Sequence, residues 1–146
     1  IPVMGKINMQ SDLVEFASTL GLLLSSGIGI TEALEIVSGS VKNPIYKDII
    51  SNSIDDVRKG MPLSLPMSKS KYMPQILPQM LAVGEETGSV DEILFKLAKY
   101  FQSETDQSVK NLTTAMEPLI MLMLGGMVGL MILAVILPIY KLTSSF

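Results

Sequence analysis

The sequence predicts an all-α protein: a six-helix bundle domain followed by one transmembrane helix. Two observations carry that expectation. Apolar residues recur at helical spacing in segment after segment, and nowhere do they alternate as in a half-buried strand. Then the 23 residues from Pro118 to Tyr140, PLIMLMLGGMVGLMILAVILPIY, contain no charge, and a helix needs about 20 apolar residues to cross a bilayer core.

The elements follow in order. Leu13, Phe16, Ala17, Leu20, Leu23 and Leu24 keep the helical period, with Ser11 as a candidate N-cap. SSGIGIT interrupts the pattern, and Thr31 can cap a second helix whose apolar side is Ala33, Leu34, Ile36, Val37 and Val41. Asn43-Pro44 reads as a start signal, because Asn caps and Pro loses nothing at the first helical position. Ile45, Ile49, Ile54 and Val57 line this third helix, and Gly60 ends it. MPLSLPMSKSKYMP, with three prolines, permits only a short helical turn. A fifth helix is expected from about Pro74, carrying Leu77, Met80, Leu81 and Val83. A sixth carries Val90, Ile93, Leu94, Leu97 and Phe101, then more loosely Val109, Leu112 and Met116 towards the apolar run.

Residues 1–111 are therefore read as the bundle domain, 112–142 as the segment that enters and crosses the membrane, and 143–146 as a short tail. The run is flanked by Glu117 and Lys141, and Tyr140 suits an interfacial position. Pro118 deprives the Thr114 carbonyl of its usual donor, so a kink is expected there. Gly125 and Gly129 form a GxxxG, with Gly126 beside them, a spacing that lets a second helix approach closely. Ten of the eleven Lys+Arg precede the run, which favours a cytoplasmic N-terminal side. The chain begins with Ile1 rather than Met, which predicts a piece of a longer protein.

Composition removes several function classes. The chain has no His, Cys or Trp. Cys/His zinc sites, thiol nucleophiles and a Ser-His-Asp triad are thereby excluded within it. A formal net charge of −3 offers no basic face for nucleic acid. No Gly-rich phosphate loop is present, and no cofactor is expected. Eleven methionines act as flexible apolar filler.

One stretch resists this bland account. GEETGSVDE, Gly84 to Glu92, holds four acidic residues in nine. Gly88 sits where a left-handed residue would end the fifth helix. Ser89 and Glu92 have the spacing of a capping box, and Asp91 and Glu92 suit the positive end of the helix dipole. Glu85 and Glu86 fit neither role. They fall in a last helical turn, where the dipole disfavours a negative charge by about 0.3–1 kcal/mol. Solvent exposure beside a Lys or Arg, a contact with a partner, and a metal or catalytic pair are the three readings. The last has poor geometry, since adjacent helical side chains diverge by about 100°.

Five blocks together, FASTLGLLLSSGIGITEALEIV (Phe16 to Val37), Asn43-Pro44, VRKGMPLS (Val57 to Ser64), MLAVGEETGSVDEIL (Met80 to Leu94) and EPLIMLMLGGMVGLMILAVILPIY (Glu117 to Tyr140), resemble the type II secretion F family. These are the polytopic inner-membrane platform proteins of type II secretion and type IV pilus assembly. IPVMGKI resembles the family's link from a preceding membrane helix. The family carries two copies of a six-helix cytoplasmic domain and three membrane helices, and the chain resembles the second copy with the last membrane helix, the C-terminal half. The resemblance implies a non-enzymatic scaffold that couples a cytoplasmic assembly ATPase to pilin or pseudopilin subunits. It also implies contact with other inner-membrane assembly components and with lipid, and self-association. Gly84, Glu85, Glu86 and Gly88 match the family's Gly-Glu-x-x-Gly block and become a candidate partner or domain interface. Glu117 and Pro118 match the block where the chain enters the membrane and become a candidate hinge. Two other classes compete. A membrane-bound enzyme would need a polar constellation, and a transporter or channel subunit would need ionisable groups within the apolar run; neither is visible. Which machine is served, secretion, pilus or competence, stays open.

Overall fold

A computed structural model describes residues 2–146, with side chains from Met4 onwards; Ile1 of the IPVMGKI stretch lies outside the described residues. Six helices follow one another: α1 (Pro2–Ser25), α2 (Ile30–Ser40), α3 (Pro44–Arg58), α4 (Ser64–Ser68), α5 (Ile76–Thr87) and α6 (Val90–Ser144). There is no strand among the described residues. The protein is all-α as expected, and α6 is long and apolar enough to serve as a single transmembrane segment. Two compact units divide between Gln107 and Ser108.

In the first unit consecutive helices pack against one another from α1 to α5. Leu13, Phe16, Ala17 and Leu20 of α1 are buried with Ala33, Leu34 and Val37 of α2. Leu77 and Leu81 of α5 and Leu94, Leu97 and Phe101 of α6 belong to the same core. Burying each such aliphatic side chain contributes about 1.5–3 kcal/mol. The core stripes of the first, second and sixth helices thus lie largely where their periodicity places them.

The departures each have a physical reason. Ser11 does not cap the first helix: α1 already begins at Pro2, and Ser11 is exposed on its surface. Proline at a first helical position costs no hydrogen bond. Thr31 does not cap α2 either. Gly29 holds that place in an extended conformation, and its carbonyl accepts the Ala33 N–H at 2.9 Å. On α3 the buried face is Tyr46, Ile50, Ser53 and Ile54, whereas Ile45 is 37% exposed. Ile36 and Val83 likewise point outwards. Counting aliphatic residues alone shifted the stripe, because the aromatic Tyr46 rather than Ile45 anchors it. Asn43 does cap α3, its Oδ1 accepting the Ile45 N–H at 2.8 Å, with Pro44 at the first position. Gly60, with φ at 90°, follows the end of that helix.

Polar contacts tie the helices together. The Asn43 N–H donates to Asp12 Oδ2 on α1 at 3.2 Å. The Tyr46 hydroxyl donates to the Tyr72 carbonyl at 3.2 Å, joining α3 to the segment before α5. Arg58 pairs with Glu35 and lies 3.8 Å from Asp55, on an exposed surface where such pairs add little.

Burial, aided by the negative charge of Asp12, pushes the Tyr46 hydroxyl up to about 12. The neutral phenol is the form the fold prefers. Its contribution is therefore complete below the ordinary tyrosine value and is lost as pH rises from about 10 towards 12. Tyr46→Phe is expected to lower stability at pH 7, by about 0.5–1.5 kcal/mol for the lost hydrogen bond. It should also flatten the loss of stability in alkali. Urea denaturation of the full chain in detergent across that pH range measures both, and an unchanged alkaline slope in the variant would exclude Tyr46 as its source.

Candidate functional site at the junction of α5 and α6

The GEETGSVDE stretch forms a tight reversal from α5 into α6, lying wholly within the first unit. Gly88 closes α5 in the left-handed region at φ 70°, ψ 24°. Its N–H and that of Ser89 both donate to the Gly84 carbonyl, the latter at 2.8 Å. This pairing satisfies a helix-end carbonyl that would otherwise lack a donor. Gly84 itself is buried where α5 meets the first turn of α6. A Cβ there would stand 3.0 Å from Ile93 Cγ1 and 3.1 Å from Val90 Cα.

The expected capping box is not formed. The Ser89 N–H, which Glu92 should receive, is already donated to Gly84. The Ser89 hydroxyl shares a 2.6 Å hydrogen bond with Thr87 Oγ1 instead of reaching the α6 backbone. Ser89 still begins the helix through its carbonyl, which accepts the Ile93 N–H at 3.1 Å. Asp91 and Glu92 do lie in the first turn of α6, where the dipole favours them.

The two unexplained acids part company. Glu85 is half-buried and reaches across to α4. The Ser64 N–H donates to Glu85 Oε1 at 3.2 Å, and the Ser64 hydroxyl to Oε2 at 2.6 Å. Both carboxylate oxygens therefore hold the first residue of α4 against α5. Glu86 is exposed. Sequence spacing could not find the Ser64 partner, because it lies 21 residues earlier. The remaining signal was the unfavourable position of the charge on its own helix.

In the second unit α6 runs on through Pro118 and Pro138. Threonine hydroxyls before Pro118 bond back to carbonyls one turn earlier, Thr113 to Val109 at 3.0 Å and Thr114 to Lys110 at 2.9 Å. Glu117 is exposed. Gly125 and Gly129 lie one turn apart on a face with open space above both. Large apolar side chains stand exposed along the run, among them Leu122, Leu130 and Tyr140. Among the described residues no cluster of three or more acidic side chains could hold a metal ion.

A helical bundle leading into one long apolar helix, with a Gly-Glu-x-x-Gly reversal between its last two helices, defines a membrane-associated helical domain. The family described as Type II secretion system (T2SS), protein F matches residues 16–138. Over 97% of its length the chain is 42% identical to the Type IV pilus assembly protein PilC of Pseudomonas aeruginosa, covering 38% of that protein. It is 37% identical over 99% of its length to the Type IV pilus assembly protein PilC of Thermus thermophilus, covering 36% of it. It is 34% identical over 98% of its length to the Type II secretion system protein F of Xanthomonas campestris, covering 35% of it. The chain belongs to this family of inner-membrane platform proteins, and it spans little more than a third of the length of these relatives.

Three substitutions test the division within the junction. Gly84→Ala should cost about 1–3 kcal/mol, because the new methyl meets α6 backbone as well as a side chain. Glu85→Ala should cost about 1–3 kcal/mol by leaving the Ser64 donors without their acceptor. Glu86→Gln should leave stability level or slightly raised. Chemical denaturation of the three variants decides. A Glu85 variant as stable as the parent would show that the α4 contact contributes nothing.

Proposed function

We propose that this chain is the cytoplasmic domain and following membrane helix of a non-enzymatic platform for type II secretion or type IV pilus assembly. The observation that carries the reading is the family match across residues 16–138. The platform would couple a cytoplasmic assembly ATPase to the addition of pilin or pseudopilin subunits, in contact with other inner-membrane components and with lipid. Residues 1–117 would be cytoplasmic and the tail after Lys141 outside, in agreement with ten of eleven basic residues preceding the run.

Within the junction the contact role falls mainly to Glu86. Gly84, Glu85 and Gly88 are each occupied in folding, whereas Glu86 is exposed on a helix end that disfavours its charge. Glu117-Pro118 would act as the hinge where α6 enters the membrane, since the proline removes one backbone hydrogen bond and leaves that turn softer. Gly125 and Gly129 would pack against another membrane helix of the same assembly, a second copy included.

Two experiments test this reading. Glu86→Lys in the full-length protein of its native host should accumulate and insert normally yet fail to assemble pili or secrete. Normal assembly at normal protein level would remove Glu86 from any essential contact. A reporter that works only in the periplasm should be active when fused after Phe146, and activity of a cytoplasm-only reporter at that point would invert the topology.

A further inference from the structure

A second feature lies beside the junction and is not explained by it. Between α4, the segment that follows it and the first half of α5 runs an open cleft of about 770 Å³. Leu65, Met73, Pro78 and Ala82 supply its apolar wall. Ser68, Lys69, Ser70 and Lys71 form one lip. Lys69 and Lys71 are exposed, and the Lys71 ammonium stands 5.1 Å from the Tyr72 ring centroid. No acidic residue lines the cleft, although the chain holds 14 Asp+Glu against 11 Lys+Arg. Ser64, the residue that Glu85 grips, also lines it. Glu85 thus ties the α4 side of the cleft to α5.

We propose that this cleft is a docking groove for an acidic, amphipathic segment of a partner protein. Apolar side chains of the segment would lie against Leu65 and Ala82, and its carboxylates would meet Lys69 and Lys71. Charge complementarity selects an acidic occupant, since two lysines line the groove and the Glu85 carboxylate beside it is taken up by Ser64. A concave trough walled by two elements fits a peptide chain, as in helix-in-groove recognition. A flat bilayer surface would not fill it. The proposal deepens the platform reading and rests on it for the existence of a partner.

The chain has no cysteine, so Gln79→Cys on the groove wall accepts a single environment-sensitive fluorophore. The labelled full chain is placed in phosphatidylcholine nanodiscs. It is titrated with a synthetic helical peptide bearing a leucine face edged by glutamates, and with the same peptide carrying lysines instead. The glutamate peptide should bind at least about ten-fold more tightly, and less so in about 0.5 M NaCl. Lys69→Glu with Lys71→Glu should invert the preference. Should that pair disturb the fold by circular dichroism, Lys69→Gln with Lys71→Gln should still abolish it. Failure of the glutamate peptide to bind, equal binding of both peptides, or a preference unchanged in both double variants would overturn the groove. So would an emission shift produced by phosphatidylglycerol nanodiscs without peptide, which would assign the lysine lip to the membrane surface. None of these failures touches the platform reading, which is judged by assembly in the host.

Discussion

The close approach of α5 to α6 at Gly84 is the constraint on which the rest depends. With a hydrogen atom in place of a side chain, α5 can lie against Val90 and Ile93 within a single reversal. Gly88 supplies the left-handed turn and brings two N–H groups onto the Gly84 carbonyl. Together the two glycines allow α6 to start at once and to place Ile93, Leu94 and Leu97 in the core. A larger residue at either position would separate the helices or strain the backbone. The direction of α6 from its first turn would then no longer be set.

The Glu85 contact converts that local reversal into a longer-range restraint. α4 is only five residues long and too short to be stable by its own hydrogen bonds. It is held from both sides, by Leu63 and Met67 in the core and by the Glu85 carboxylate at Ser64. A charge that is unfavourable on its own helix is offset by the donors of another. The same oxygen pair therefore fastens the short helix to α5. One acid of the Gly-Glu-x-x-Gly block is thus engaged within the fold, while its neighbour Glu86 stands exposed.

What was legible in the sequence followed the range of the interaction that decides it. The cap at Asn43, the stop at Gly60, the reversal at Gly88 and the apolar run are fixed by neighbours a few residues away, and all were readable. Ser11 and Thr31 misled because a short polar side chain suits a cap but does not require one, and α1 simply extends past Ser11. The face of α3 was displaced because Tyr46 is buried by a contact to Tyr72, a partner distant in sequence. The Glu85–Ser64 contact lies beyond local reading for the same reason, and the capping box does not form because Gly84 already holds the Ser89 N–H. At Tyr46 and Glu85 a tertiary contact overrides the local preference, whereas at Ser11, Thr31 and Ser89 one local arrangement displaces another.

α6 carries the consequence furthest. Up to Phe101 one face of it, Ile93, Leu94, Leu97 and Phe101, is locked into the core, whereas from Gln102 onwards its surface is largely open. Helix in the stretch before Pro118 draws on local terms, such as the Gln102–Asp106 hydrogen bond of 3.0 Å. Those terms are worth tenths of a kcal/mol each, far below what packing contributes in the bundle. Threonine back-bonding favours slight bending, and Pro118 then withdraws one more hydrogen bond. Past that point the apolar run restores strong helical preference, because in lipid every backbone polar group must be satisfied within the segment. The helix is thus rigid by packing at one end and by the demands of the bilayer at the other. Between them lies a stretch whose side chains are mostly exposed. Thr113, Thr114 and Pro118 thus gather the helix-weakening terms of α6 into one short stretch just before the apolar run.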